Sequence, residues 1–168
     1  MIADINMDRI DELCEAIEAV ELKNVKEVEA FVRNYTTLIW EYKMIGKIYD
    51  YYQPDIEVIR EDRILIKGVD QVVEDATVFL AAFPDMKVDI ENVIVSGTSE
   101  DGYKIFRRMR YKGTNKGYSQ FGPPTGKSLG NNCLALSMFY LKKIDGSWKI
   151  TSEMDMRSTE WIEETLQA

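Results

Sequence analysis

Apolar residues recur every three or four positions in three segments of the N-terminal half of the chain. This spacing places them on one face of a helix and predicts three amphipathic helices. The three segments are residues 10–20, 28–42 and 69–83. Asn6 or Asp8 is placed to cap the first helix. Gly46 follows the second helix and Pro84 ends the third, and both residue types are common stop signals.

After residue 86 the period changes to the alternation that is typical of β-strands. In segment 103–112 one face is mostly apolar and the other mostly cationic, and alternation puts Arg107 on the apolar face and Arg108 on the cationic one. Segment 133–144 is apolar on both faces and predicts a central strand. Further predicted elements are a short helix within 49–54, a hairpin over 56–66, a strand over 88–95, a last strand over 148–156 and a C-terminal helix over 159–166. Helices first and a strand meander afterwards indicate the α+β class with an antiparallel sheet.

Charge and composition exclude several functions. Lys and Arg total 21 in the 168 residues against 29 Asp and Glu, a net charge of −8, which disfavours a nucleic-acid partner. Histidine is absent, so Ser-His-Asp catalysis, Cys-His catalysis and imidazole metal ligands are excluded. Cys14 and Cys133 lie far apart and show neither zinc-site nor disulfide spacing. We therefore expect no metal site and no other cofactor.

The chain shows no signal for export or membrane insertion. Residues 1–6 lack a basic segment followed by an apolar one, and no stretch approaches the roughly 18 apolar residues of a membrane helix. Together with the cysteine usage, this predicts a soluble protein of the cytoplasm without a membrane partner.

Residues 122–128 contain the Gly-Lys-Ser sequence that ends a phosphate-binding loop. That motif needs a glycine five positions before Gly126, where Phe121 stands, and a helix after the loop. The chain leads into a strand instead. The segment therefore predicts a structured turn between two strands.

The last strand carries Glu153 and Asp155 on one face by alternation, with Trp148, Ile150 and Met154 on the other. Burial of one carboxyl would raise its pKa towards a value that suits a general base. The alternative is the solvated face of an edge strand.

Aromatic residues concentrate in the second helix and just after it. Most such rings pack into a core, yet each hydroxyl or indole N–H needs a partner when buried, so a cavity lined by these rings is the alternative. The rings belong to Tyr35, Trp40, Tyr42, Tyr49, Tyr51 and Tyr52. We expect Tyr35, Trp40 and Tyr52 to bound such a cavity opposite the strand over 103–111.

Five strings share an order and spacing that carry a resemblance. They are residues 35–40, Tyr51-Tyr52-Gln53-Pro54-Asp55, residues 81–86, Pro123-Pro124-Thr125-Gly126-Lys127, and Asp145-Gly146 followed by Glu153-Met154-Asp155. Over roughly residues 25 to 157 the chain resembles the SnoaL-like polyketide cyclase family of the nuclear transport factor 2-like superfamily. The resemblance implies a cone-shaped, curved antiparallel sheet with helices packed over its concave face, a cystatin-like barrel around a pocket. Residues 1–22 would form an N-terminal helical extension and residues 23–168 a SnoaL-like single domain.

The superfamily includes aldol-type cyclases, dehydratases, steroid isomerases, epoxide hydrolases and non-catalytic binding modules, so its fold alone does not fix a function. In the cyclases an aspartate on the final long strand is the general base, in a motif resembling Glu-x-x-Asp with a Trp before the Asp. Asp155 matches that aspartate, whereas Met154 replaces the Trp and Ser152 stands at the Glu position. The cyclases' pocket histidine has no counterpart. The Arg-x-Asp of the epoxide hydrolases is missing because Arg110 follows Arg108.

Two functional hypotheses follow. The first is a small cofactor-independent acid/base enzyme of cyclase, isomerase or dehydratase type that acts on a hydrophobic carbonyl compound. In it Asp155 is the catalytic base, Glu153 lies nearer the rim, and an arginine or tyrosine hydroxyl stabilises the oxyanion. The second is a non-catalytic ligand-binding or assembly domain of the same fold. The predicted substrate-binding residues are Tyr35, Trp40, Tyr52, Arg107, Arg108, Met109, Tyr111, Met138 and Glu153. The resemblance aligns its strand arginine with Arg108, whereas alternation favours Arg107.

The strand over 133–144 also predicts the oligomeric state. Leu134, Leu136, Met138 and Tyr140 share one of its faces, and a curved sheet has only one concave side for its own helices. The other apolar face would be exposed unless a partner covers it. We therefore expect a homodimer, alongside a small hydrophobic or aromatic ligand.

Overall fold

Every predicted helix is present in the computed structural model, which describes residues 6–61 and 63–168. The helices are α1 (Met7–Ala19), α2 (Val25–Trp40), α3 (Lys47–Tyr51), α4 (Val69–Ala82) and α5 (Thr159–Gln167). Asn6 caps α1, because its side-chain oxygen accepts from Arg9 N at 3.1 Å. The prediction that the chain carries no export signal rests on residues 1–6, and residues 1–5 lie outside the described residues. None of the helices in the described part of the chain is both long and apolar enough to cross a membrane.

The six strands form one curved, open sheet in the order β2-β1-β6-β5-β4-β3. They are β1 (Tyr52–Arg60), β2 (Ile64–Lys67), β3 (Lys87–Thr98), β4 (Gly102–Lys112), β5 (Cys133–Ile144) and β6 (Ser147–Met156). The α+β class is confirmed. Four pairings are antiparallel as predicted, and β1 pairs with β6 in parallel. A parallel pair needs a long connection, which the chain from β2 to β5 supplies.

The helices pack on one face of the sheet, and their apolar stripes share a single core with the inward strand residues. Ile10, Leu13 and Ile17 of α1 are buried in this same core. The helix predicted as an N-terminal extension therefore contributes to the packing of the whole fold, and the boundary at residue 22 stays a prediction.

Across the centre of the sheet, the inward row of side chains is polar. The register aligns Arg107 of β4 with Ser137 of β5, Ser137 with Asp155 of β6, and Asp155 with Arg60 of β1. All four side chains are buried, with at most 7% of each residue exposed. Buried polar groups are costly unless they are paired, so this row marks the part of the interior where function is expected.

The neighbouring outward row is apolar. It crosses all six strands, and each of its residues is at least 36% exposed. Its members are Ile94, Phe106, Met138, Met154, Ile59 and Leu65. We call this row the convex apolar row.

A bulge in β6 puts Asp155 on the concave face. The pairing with β5 shifts between Tyr140 and Leu141, so that Tyr140 lies opposite Ser152 and Leu141 opposite Ile150. One extra residue in β6 changes the phase of alternation. The predicted grouping of Trp148 and Ile150 with Met154 is therefore wrong, because Ile150 is 2% exposed in the core whereas Met154 is 45% exposed.

Residues 122–128 lie in the connection between β4 and β5. Isolated bridges join Thr114 to Ser128 and Ser119 to Gly122, and the chain then enters β5. The buried Asn115 side chain accepts from Thr125 N at 2.7 Å and fixes the loop. The prediction of a structured turn instead of a phosphate-binding loop is confirmed.

Candidate active site

A small cavity lies between the concave face of the sheet and helices α2, α3 and α4. Its volume is about 30 Å³, which is room for about two water molecules. Five of its lining residues are charged. The lining comprises Tyr35, Thr36, Ile39, Trp40, Ile48, Tyr52, Arg60, Val72, Ala76, Arg107, Glu153, Asp155 and Arg157. The cavity is therefore lined by both charged and apolar side chains, and the hydrophobic pocket expected from the sequence stays a prediction.

Asp155 has one carboxylate oxygen held by cations and one left free. Its Oδ2 accepts from Arg60 Nη1 at 3.0 Å and lies 3.4 Å from Arg157 Nε. Its Oδ1 is buried without a hydrogen-bond partner among the described residues. Burial raises the pKa of the Asp155 carboxyl to about 6, although Arg157 and Arg60 act in the opposite direction. Near neutral pH the group is an ionised base with a free lone pair.

Four charged side chains form a group that we call the Asp155 ion cluster, namely Arg60, Asp75, Asp155 and Arg157. Asp75 Oδ2 accepts from Arg157 Nη1 at 2.8 Å and lies 3.0 Å from Arg60 Nη2. The Arg157 guanidinium also stacks on Trp40, 4.9 Å from the ring centroid. Burial disfavours the charged form of Arg157, but the two carboxylates outweigh it and raise the pKa of this residue.

Opposite this cluster, Arg107 is fixed by two hydroxyl groups. Its Nη1 donates to Thr36 Oγ1 at 2.7 Å and its Nε to Ser137 Oγ at 3.1 Å. The Tyr52 hydroxyl donates to Glu153 Oε2 at 2.5 Å. Burial and the nearby Glu153 carboxylate raise the pKa of Tyr52 well above its usual value, so its hydroxyl keeps its proton. These groups are rigid, protonated donors beside the base.

The structure brings most of the predicted site residues together. Tyr35, Trp40, Tyr52, Arg107, Glu153 and Asp155 line the cavity. Alternation along β4 therefore gave the correct inward arginine. Glu153 and Asp155 are buried to nearly the same extent, at 8% and 7% exposed, so the position of Glu153 nearer the rim stays a prediction.

Four predicted residues lie elsewhere. Met109 and Tyr111 are buried in the core beside the cavity without lining it, and the Tyr111 ring packs edge-on against Trp40 at 5.2 Å. Arg108 and Met138 are on the convex face, because alternation on β4 and β5 turns them away from the helices. Arg108 pairs there with Glu91 at 2.7 Å.

Sequence reasoning missed Thr36, Arg60, Asp75 and Arg157. A signal existed for two of them. Arg60 continues the inward alternation of Ile56 and Val58, and Arg157 lies two residues beyond Asp155. Thr36 and Asp75 look like ordinary polar positions of a helix.

The arrangement can accept a proton and stabilise negative charge. Arg60 Nε is a buried donor without a partner among the described residues, and Arg157 Nε makes only the 3.4 Å ion-pair contact with Asp155 Oδ2 and no hydrogen bond. Both arginines line the cavity together with Asp155. A base beside unsatisfied cationic donors suits proton abstraction next to a carbonyl group. Over residues 6–61 and 63–168, no three acidic or cysteine side chains are grouped to hold a metal ion.

The family model of SnoaL-like polyketide cyclases matches residues 29–158. No curated protein matches the chain. A Jannaschia sp. CCS1 structure described as a SnoaL-like polyketide cyclase is 14% identical, with 100% of this chain and 97% of that chain covered and a TM-score of 0.57.

Two further solved structures share the fold. One from Xanthomonas campestris, described as a calcium/calmodulin-dependent protein kinase II association domain, is 20% identical, covers 82% of this chain and 89% of its own, and has a TM-score of 0.61. Nuclear transport factor 2 from Cryptosporidium parvum is 15% identical, with coverages of 76% and 89% and a TM-score of 0.55. At these identities the likeness shows the nuclear transport factor 2-like fold.

Proposed function

Because the chain belongs to the SnoaL-like polyketide cyclase family, we propose that it is a small acid/base enzyme of cyclase, isomerase or dehydratase type that needs no cofactor. The observation that carries the proposal is the free, buried Oδ1 of Asp155, a residue that lines the small cavity. An unpartnered buried carboxylate oxygen is costly and is retained where it has a chemical task.

In the proposed reaction Asp155 Oδ1 takes a proton from the carbon next to a carbonyl group. The electron pair of the C–H bond moves into the carbonyl group and forms an enolate. The Nε–H groups of Arg60 and Arg157 stabilise its oxygen. Return of the proton to another carbon completes an isomerisation. In a cyclisation the enolate carbon attacks a second carbonyl group, and the alkoxide that forms takes the proton back from Asp155.

The residues that line the cavity also indicate which class of ligand it favours. A wholly apolar ligand would leave Nε of Arg60 and Nε of Arg157 without a hydrogen-bond acceptor, which is unfavourable. The cavity therefore favours a ligand whose reacting end is compact and rich in oxygen over the hydrophobic or aromatic ligand expected from the sequence.

The pH dependence of exchange tests the base. Hydroxyacetone in D₂O is a suitable probe, because it is uncharged and bears acidic C–H groups, and proton NMR follows its deuteration. It is larger than the cavity, which has room for about two water molecules, so its entry requires the lining side chains to move. Burial raises the pKa of Asp155 to about 6, and only the ionised form accepts a proton. We expect kcat/KM to rise about tenfold per pH unit below that value and to level off above it. A profile that is flat down to about pH 4 would contradict Asp155 as the base.

The convex apolar row favours a second role, assembly through the outer face of the sheet. At about 4.8 Å per strand the row extends for about 24 Å, and an apolar strip of this length is unfavourable in water. A second copy of the chain presents the same strip, so two rows can cover each other in an isologous dimer. We propose such a homodimer, in the cytoplasm.

Met138→Lys is expected to convert this homodimer into a monomer. The residue is central in the convex apolar row, flanked by Phe106 and Met154, and an unpaired charge there would be desolvated on association. Sedimentation equilibrium at micromolar concentration should give twice the 19.4 kDa chain mass for the wild type and the single mass for the variant. Tyr118→Lys, in an exposed loop away from the sheet, is the control and should stay dimeric. A monomeric wild type would end the proposal.

A further inference from the structure

Asp75 lies on α4, does not line the cavity, and still contacts both cations that hold the base. Its Oδ2 lies 3.0 Å from Arg60 Nη2 and accepts from Arg157 Nη1 at 2.8 Å. The side chain is 25% exposed, whereas Arg60 and Arg157 are each 6% exposed. One helix carboxylate therefore fixes two buried guanidinium groups from the side opposite Asp155.

We propose that Asp75 is a positioning residue, which draws Arg60 and Arg157 towards α4 and so keeps Oδ1 of Asp155 free to act as the base. This inference rests on the proposed function. Guanidinium groups favour two parallel hydrogen bonds to both oxygens of a carboxylate. Because Asp75 occupies Nη2 of Arg60 and Nη1 of Arg157, each arginine approaches Asp155 through one nitrogen, and both approach Oδ2.

Loss of the Asp75 charge should change Asp155 in a defined direction. The charged and titratable groups that face Asp155 are Arg60 from β1, Arg157 after β6, Glu153 on β6, Asp75 from α4 and Tyr111 from β4. Without Asp75, both arginines pair with Asp155 alone and favour its ionised form. The pKa of Asp155 should fall, and an arginine should take the free oxygen.

Carbon-13 NMR titration of the Asp155 carboxyl measures this directly, and the signal is assigned by its loss in Asp155→Asn. We expect Asp75→Asn to lower the pKa of Asp155 by about one unit. Asp75→Glu keeps the charge and should leave that pKa near the wild-type value. Glu74→Gln makes the same charge change at an exposed site on the same helix and should have no effect. An unchanged pKa in Asp75→Asn would overturn the proposal.

Exchange of hydroxyacetone separates this inference from the proposed function. If the wild type catalyses exchange and the acid limb of the kcat/KM pH profile of Asp75→Asn moves to lower pH by about one unit, the enzyme proposal and the positioning role are both supported. If the wild type catalyses exchange and the acid limb of the pH profile does not move in Asp75→Asn, only the positioning role fails. If the wild type does not catalyse exchange, the enzyme proposal fails, and the titration still decides whether Asp75 controls Asp155. Should Asp75→Asn not fold, Asp75→Ser replaces it with the same expected fall.

Discussion

Asp155→Asn is expected to lower the rate of hydroxyacetone exchange by a factor of about 10² to 10⁴, the usual contribution of a general base. Asparagine has nearly the shape of aspartate but cannot accept the proton at neutral pH. Within the residues described, Oδ1 is the one fully buried carboxylate oxygen without a hydrogen-bond partner, and Asp155 is a lining residue of the cavity. Glu153 also lines the cavity, but its Oε2 already accepts from the Tyr52 hydroxyl.

Asp145→Asn is the matched control for this variant. Asp145 is exposed in the turn between β5 and β6 at φ 48°, a conformation that asparagine also adopts readily. The Asp145→Asn variant should catalyse hydroxyacetone exchange at the wild-type rate. A variant of Asp155 that keeps more than about a tenth of the activity would show that another group is the base.

Asp155→Asn should change the free energy of unfolding little compared with its large effect on the exchange rate, because two effects on stability oppose each other. The folded-state pKa of about 6 lies above the ordinary aspartate value of 3.8, so the contribution of this carboxyl to stability falls as the pH rises from 3.8 through about 6. A neutral asparagine removes that cost at pH 7. Arg60 and Arg157 lose one acceptor but keep Asp75.

Local pattern was enough to predict most of the fold and part of the site. The helical stripes and the alternation of β4 depend on residues close in sequence, so they gave the helices and the inward direction of Arg107. The family motif added Asp155, which alternation alone placed with the wrong neighbours on β6.

The rest depends on contacts between residues far apart in the chain. Arg60 meets Asp155 across 95 positions because β1 pairs in parallel with β6, and nothing in the hydrophobic pattern indicates that pairing. The β6 bulge, which turns Asp155 inward together with Ile150, also has no signal in the composition of that strand. The charged part of the cavity lining follows from this register, so sequence reasoning did not predict Arg60 beside Asp155.

Arg157→Ala is expected to lower the free energy of unfolding by about 3 to 5 kcal/mol, the cost of breaking a buried ion pair from one side. The substitution removes the hydrogen bond to Asp75 and the charge 3.4 Å from Asp155 Oδ2. It also removes the guanidinium stacked on Trp40 and Phe79, at 4.9 and 5.0 Å from their centroids. Domains of this size have about 5 to 15 kcal/mol in total, so this loss is a large part of the stability.

Urea unfolding followed by circular dichroism measures this loss of unfolding free energy. Arg63 is an exposed arginine of the β1–β2 turn, and Arg63→Ala is the control. Its free energy of unfolding should differ from that of the wild type by no more than about 0.5 kcal/mol. The loss in Arg157→Ala should depend on pH. Below a pH of about 6 Asp155 is protonated and no longer forms an ion pair with Arg157. The difference in the free energy of unfolding between wild type and variant should therefore be smaller at pH 5 than at pH 8. A loss that is the same at both pH values would mean that Arg157 stabilises the fold through its aromatic stacking and its contact with Asp75, and not through the charge of Asp155.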